Sequence, residues 1–321
     1  MTMKRKLTYT LIVVLAALIA GSCQQEQLRP ESVIKDSTVT KNSFDQWLQV
    51  NFLQPYNIDF RYRYTMAETD FNYYNVPPQI EGAVIYAHLV KYLCIDTYDE
   101  VAGLSFTRSY FPKMFYLNGT WQFRNNGSIT LGTAEAGKKI MLGGVNYLED
   151  VFAAHDAGRI TDAELEDHLN QYYIKTIHHE FTHILNQTKE YSEAFTQVTP
   201  STYVGDACFD TDDYWLGRGY ITAYSQSEPG EDFAELLSEY VTHSAAWWDQ
   251  QLATAKTQTT EVRKSNPNAP EGNTLIQSKI DMVRDYMDAS WNIDIDVLRS
   301  VILRRFQDVS AGRVDVHTTA I

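Results

Sequence analysis

The sequence contains His179-Glu180-Phe181-Thr182-His183, two imidazoles four positions apart with a carboxylate beside the first. On a helix, residues at i and i+4 stack on one face. Two imidazoles in that register can take neighbouring positions around one metal ion. Glu180 is turned by about 100° from His179, so it reaches a water beside the metal and not the metal itself. A catalytic zinc ion takes three protein ligands and leaves one position open. The candidate for the third ligand is Glu231, just after the stop formed by Pro229-Gly230. It opens a second helix on which Glu231, Glu235 and Ser238 share a face. Ala234 beside them lets that helix pack closely on the first. Glu231 is the expected ligand, and Glu235 is expected to hold a ligand histidine through its other ring nitrogen. Glu228 and Asp232 suit the positive end of a helix dipole.

The elements that position these groups can be read from periodicity. The histidine helix should run from Asp162 to about Gln187, with Thr161 or Asp162 as N-cap and Glu164 and Glu166 in its first turn. Ile174, Ile177, Phe181 and Ile184 fall on one side and should face the core. Tyr172, Thr176, His179, His183 and Asn186 fall on the other, facing a cleft. His178 is expected at the surface or just behind a ligand. His88, His155, His168, His243 and His317 have no partner at ligand spacing and read as structural. Residues 188–226 are irregular and rich in Tyr, Asp, Gly and Thr, and a loop of that length is usually functional. A helix should follow from Glu231 to Trp248, then a polar surface loop over residues 257–273. Two amphipathic helices close the chain, marked by Ile276, Ile280, Val283 and Met287, and by Leu298, Val301, Ile302 and Phe306.

The first half is mixed. A helix is expected over Ser43–Leu53, an alternating strand over Ile58–Tyr64, and an apolar helix over Ile80–Ile95. Residues 105–146 read as sheet, with strands at Phe115–Leu117, Trp121–Phe123, Ser128–Leu131 and Lys139–Val145. Asn118-Gly119 and Asn126-Gly127 are hairpin signals, so antiparallel pairing is expected. The fold class is α+β: a mixed helix and sheet part, then a helical part.

The N-terminus reads as an address. Lys4, Arg5 and Lys6 precede an apolar run from Leu11 to Ala20, too short to span a membrane. Ala20-Gly21-Ser22-Cys23 resembles a bacterial lipobox, in which the cysteine is lipidated after cleavage. The expected organisation is a signal peptide over residues 1–22, a lipid-anchored tether over 23–41, and one catalytic domain over 42–321. Loss of the signal removes three basic residues from a chain whose formal net charge is already −14. So acidic a surface argues against nucleic acid as a partner and leaves membrane attachment to the lipid on Cys23. Cys94 and Cys208 could pair, or remain as buried thiols.

The two motifs together resemble the gluzincin class of metallopeptidases, whose members follow HExxH with a glutamate on a second helix. The likeness is closer to the branch that includes anthrax lethal factor. There a tyrosine lies seven residues before the ligand glutamate and Phe-Ala-Glu follows it, as do Tyr224, Glu231 and Phe233-Ala234-Glu235 here. Residues 178–187 also resemble the Bacteroidetes family of substrate import-associated zinc metallohydrolase lipoproteins, encoded beside outer-membrane nutrient importers. The resemblance implies a zincin-like fold, zinc as cofactor, a peptide or protein substrate and Tyr224 as stabiliser of the oxyanion. It further implies anchoring to the outer membrane, on its periplasmic or outer side, with an importer complex as partner. It also suggests that an edge strand, for which Lys139–Val145 is the candidate, receives an extended peptide. A rival reading is a non-catalytic lipoprotein that binds nutrient or glycan through its six Trp and 21 Tyr and keeps a relict zinc site. A purely structural zinc would leave Glu180 without a task. Carbonyl substrates other than peptides suit the same site.

Overall fold

A computed structural model describes residues 40–68, 72–123, 129–130, 132–135 and 139–320. The signal, Cys23 and the tether up to residue 39 lie outside the described residues, as do Asn126-Gly127 and parts of the Ser128–Leu131 strand. Residues 41–321 form one compact unit. Among the described residues, no helix is long and apolar enough to cross a membrane.

Helix α1 (Ser43–Leu48) is capped by Asn42, whose side chain accepts from Asp45 N while the Asp45 carboxylate accepts from Asn42 N. A π-helical turn carries it on to Leu53. Strand β1 spans only Asp59–Arg61, shorter than the alternation over residues 58–64 suggests. Helix α2 (Ile80–Leu89) continues through a π-helical turn into α3 (Asp96–Ala102). Helix α4 (Leu104–Tyr110) stands where sheet was expected, because Gly103, at φ 86°, starts a new helix.

The strands that follow are β2 (Met114–Leu117), β3 (Gln122–Phe123), β4 (Ile129–Thr130), β5 (Gly132–Glu135) and β6 (Lys139–Leu142). The main sheet has the order β1-β2-β6-β5. β1, β2 and β6 run parallel, and only β5 is antiparallel to its neighbour β6. The antiparallel expectation therefore holds for β5–β6 and for the small β3–β4 pair, and fails for the rest. Asn118-Gly119 does not close a hairpin, since β2 pairs with β6 and not with β3. Lys139–Leu142 is an interior strand, and the edge beside it is β5. Phe115, Tyr116 and Leu117 are all buried, as are Ile140, Met141 and Leu142, the near-continuous burial of strands covered on both faces. Gly144, at φ 73°, ends β6 under Trp121, where a Cβ would lie 2.1 Å from the indole nitrogen.

Helix α5 (Leu148–Asp156) had no counterpart in the sequence reading. Helix α6 (Asp162–Leu169) starts from a capping box between Thr161 and Glu164. A π-helical turn over Asn170–Ile174 leads into α7 (Lys175–Thr188), so the predicted helix is present from end to end. Residues 189–228 contain only short 3₁₀ turns, as expected for the long irregular stretch. Helix α8 (Pro229–Thr242) places Pro229 in its first turn, where a missing N–H costs nothing. It stops before Trp248, because the Ser244 hydroxyl accepts from Trp247 N and caps a new helix, α9 (Ala245–Ser265). α9 covers half of the expected 257–273 loop. Its residues there are polar, but Ala255 and Thr259 are buried, and Thr259 accepts from Gly272 N. Helices α10 (Gly272–Trp291) and α11 (Ile295–Ser310) close the chain on their predicted apolar faces. Cys94 and Cys208 are both buried, and no disulfide joins one to the other.

Candidate metal centre

Helices α7 and α8 pack together, and β5 lies against α7. Ile177, Phe181 and Ile184 turn into the core, as their spacing predicts. His183 remains partly open, whereas His179 is buried beneath it. The two Nε2 atoms approach to 3.1 Å. Glu231 Oε2 lies 2.9 Å from His179 Nε2 and 3.2 Å from His183 Nε2. Two imidazole nitrogens and a carboxylate oxygen thus converge on one point, the donor set that catalytic zinc takes. Among the described residues they are the one cluster of three or more such groups able to hold a metal ion.

The surroundings fit a cation. Three lone-pair-bearing atoms face one another, and a shared proton satisfies them less fully than a dication would. Glu235 Oε1 lies 2.8 Å from His179 Nδ1, so with a metal bound a proton on Nδ1 would face that carboxylate and leave Nε2 as the donor. Burial alone would lower the His179 pKa, but Glu231 and Glu235 outweigh it and push it up to about 10. Burial raises Glu231, yet the bonds to His179 and His183 hold it well below the ordinary carboxylate range. Glu235 is held low in the same way by Lys175, His179 and Thr222, against its own burial. The Thr222 hydroxyl donates to Glu235 Oε2 at 2.7 Å, so the long loop reaches into the site.

Tyr224 stands on a short 3₁₀ turn, Tyr224–Gln226, just ahead of α8. Its ring centroid is 6.1 Å from that of His179. It also stacks parallel to Phe209, at 5.9 Å and 8° between planes. The loop is fixed by backbone bonds from Val204 N to Gln226 O and from Gly205 N to Ser227 O. Glu180 is half-buried on α7, next to His179 in sequence.

His178 is not at the surface. It is 1% exposed, with Nδ1 3.1 Å from the Tyr98 hydroxyl, and burial pushes its pKa down to about 3. The same 100° step that takes it off the ligand face turns it into the core, and the sequence reading overlooked Tyr98 as its partner. Asp232 is no simple dipole residue either, for it is fully buried against Lys279. The other five histidines have structural contacts. His88 binds Thr318 O, His155 pairs with Asp162, His168 packs on Tyr172, His243 pairs with Glu239, and His317 meets Phe152 edge-on. Lys175, absent from the sequence reading, contacts both Glu235 and Glu239. Its position one turn before His179 is a signal that could have flagged it.

Residues 37–296 match the family described as "Putative zinc-binding metallo-peptidase". A solved structure of a protein titled in the same words, from Bacteroides caccae ATCC 43185, is similar with a TM-score of 0.68 and 32% identity. The likeness covers 90% of this chain and 100% of that one. No curated protein matches. The family match spans most of the chain, and the protein belongs to the zinc-binding metallo-peptidase family so described.

Proposed function

We propose that the protein is a zinc metallohydrolase that cleaves peptide bonds, with the metal on His179, His183 and Glu231. The observation that carries this reading is the convergence of His179 Nε2, His183 Nε2 and Glu231 Oε2 within 3.2 Å of one another. A zinc ion held there would supply Lewis acidity, making water more acidic and a carbonyl more electrophilic.

The chain's own groups do the rest. Glu180 accepts the proton of the attacking water and later passes it to the leaving amine. Tyr224 donates to the carbonyl oxygen as that oxygen becomes negative. Glu235 orients His179. Strand β5 is packed on α7 and, among the described residues, pairs with β6 alone; its other backbone edge would receive an extended peptide. A lipid on Cys23 would anchor the domain to the outer membrane. There it would process peptide or protein for an importer complex. Tyr64, Tyr74 and Tyr147 are exposed but none of the six Trp is, so the tryptophans offer no open glycan platform.

The test is Glu180→Gln, assayed on a peptide library with zinc measured in parallel. The variant should keep its zinc and lose cleavage by at least about 100-fold. Undiminished cleavage would remove Glu180 from its role. Zinc bound by wild type without any cleavage would favour the binding-protein reading.

A further inference from the structure

The facing sides of α7 and α8 form an antiparallel ladder. On α7 the rungs are Lys175, His179 and His183, each four residues from the next. On α8 they are Glu231, Glu235 and Glu239, at the same spacing. His183 meets Glu231, His179 meets Glu231 and Glu235, and Lys175 meets Glu235 and Glu239. The upper rungs form the metal centre. The lower rung is a buried charge cluster directly beneath it.

That lower rung poses an electrostatic problem. Glu235 and Glu239 are 5% and 8% exposed in their side chains and stand one helical turn apart. Two carboxylates so placed repel, and little water is present to screen them. Lys175 Nζ lies 3.2 Å from Glu235 Oε2 and 2.9 Å from Glu239 Oε1. His243 Nδ1 takes the other Glu239 oxygen at 3.0 Å. Among the described residues, the Glu235 carboxylate is held, apart from His179, by Lys175 and by the Thr222 hydroxyl.

We propose that Lys175 is a positioning residue of the metal centre, bridging Glu235 and Glu239 so that Glu235 stays against His179 Nδ1. The proposal rests on the reading of His179 as a metal ligand. Lys175 touches neither metal nor substrate. It acts through Glu235, which fixes the His179 ring with Nε2 toward the metal. Without Lys175, repulsion from Glu239 turns Glu235 away and the ring loses its brace.

The direction of the effect separates positioning from bulk charge. Removing a cation near a dication site would tighten zinc by simple electrostatics. Losing the brace weakens it. The experiment measures zinc affinity of the full chain by competition with a chromogenic chelator. It uses wild type, Lys175→Met, Lys175→Gln, Lys175→Arg and the double variant Lys175→Met/Glu239→Gln. Unfolding by urea of each metal-free protein controls for folding.

Lys175→Met and Lys175→Gln should bind zinc about 10- to 100-fold more weakly, the usual cost of losing a group that braces a ligand. Lys175→Arg should restore most of the affinity, since a guanidinium can bridge both carboxylates. The double variant should also recover, because the repelling charge has gone. Unchanged or tighter zinc in the single variants overturns the proposal. So does a double variant as weak as Lys175→Met, which would trace the loss to packing. His179→Ala reports separately on the underlying reading: if it binds zinc like wild type, the ligand assignment fails, whatever the Lys175 variants do.

Discussion

The Lys279 ammonium and the Asp232 carboxylate meet at 2.5 Å with neither side chain exposed to solvent. Burial pulls both toward neutrality, lowering Lys279 and pushing Asp232 up to about 6 despite the pairing. The Tyr203 hydroxyl donates to the same Asp232 oxygen at 2.8 Å, and the Lys279 ammonium donates to Gly219 O at 3.0 Å. The pair thus ties α10 and the long loop to the first turn of α8, next to Glu231. Lys279→Met would strand a buried carboxylate and should cost about 3–5 kcal/mol in urea unfolding. Lys279→Met/Asp232→Asn should regain a large part of that. A single-variant loss below about 1 kcal/mol would show that the pair does not hold the loop.

Metal should stabilise the fold through the same helices. Metal-free protein supplied with zinc at 100 times Kd should gain about 2.7 kcal/mol. A rise in melting temperature on adding zinc and its reversal by chelator would show this. His183→Ala should abolish the rise. A rise of equal size in that variant would place the ion elsewhere.

Tyr224→Phe separates binding from chemistry. It keeps the ring against His179 and Phe209 and removes only the hydroxyl. Zinc content should be unchanged, and kcat should fall by about 100-fold with KM nearly constant. A variant as fast as wild type would remove Tyr224 from the reaction.

His178 predicts a pH dependence of stability. Its folded pKa of about 3 lies below the ordinary 6.5, so unfolding takes up a proton between those values. The stability it contributes is complete above pH 6.5 and is lost as pH falls toward 3. The loss is about 1.4 kcal/mol per pH unit. Asp232, raised by burial, works in the opposite sense, so the total slope is not diagnostic. The difference is: metal-free wild type should lose stability faster between pH 6 and pH 5 than metal-free His178→Gln, whose amide can still bond Tyr98. Equal slopes would contradict the assignment.

Much of the site was legible because it rests on local periodicity. Four-residue spacing put His179 and His183 on one face whatever α7 packed against, and the same rule aligned Glu231 with Glu235. The isoleucines on the opposite face fixed which side would be buried. The helix start at Thr161 or Asp162 and the closing helices α10 and α11 were readable for the same reason, since each is a short-range pattern.

What only the tertiary structure decided depends on partners distant in sequence. Whether strands run parallel or antiparallel is set by which one lies alongside, so Asn118-Gly119 signalled a hairpin that β2, paired with β6, does not form. A polar stretch such as residues 257–265 becomes helix because it continues α9 and buries Thr259, whose hydroxyl accepts from Gly272 N across the turn to α10. The 100° step left His178 either at the surface or just behind a ligand, and it is buried because Tyr98 supplies a partner 80 positions away. Lys175 and Glu239 are ordinary helix residues until α7 meets α8. The sequence by itself determined which donors can share a metal, since that follows from one helical turn. The pairing of the two helices alone decided what sits beneath those donors.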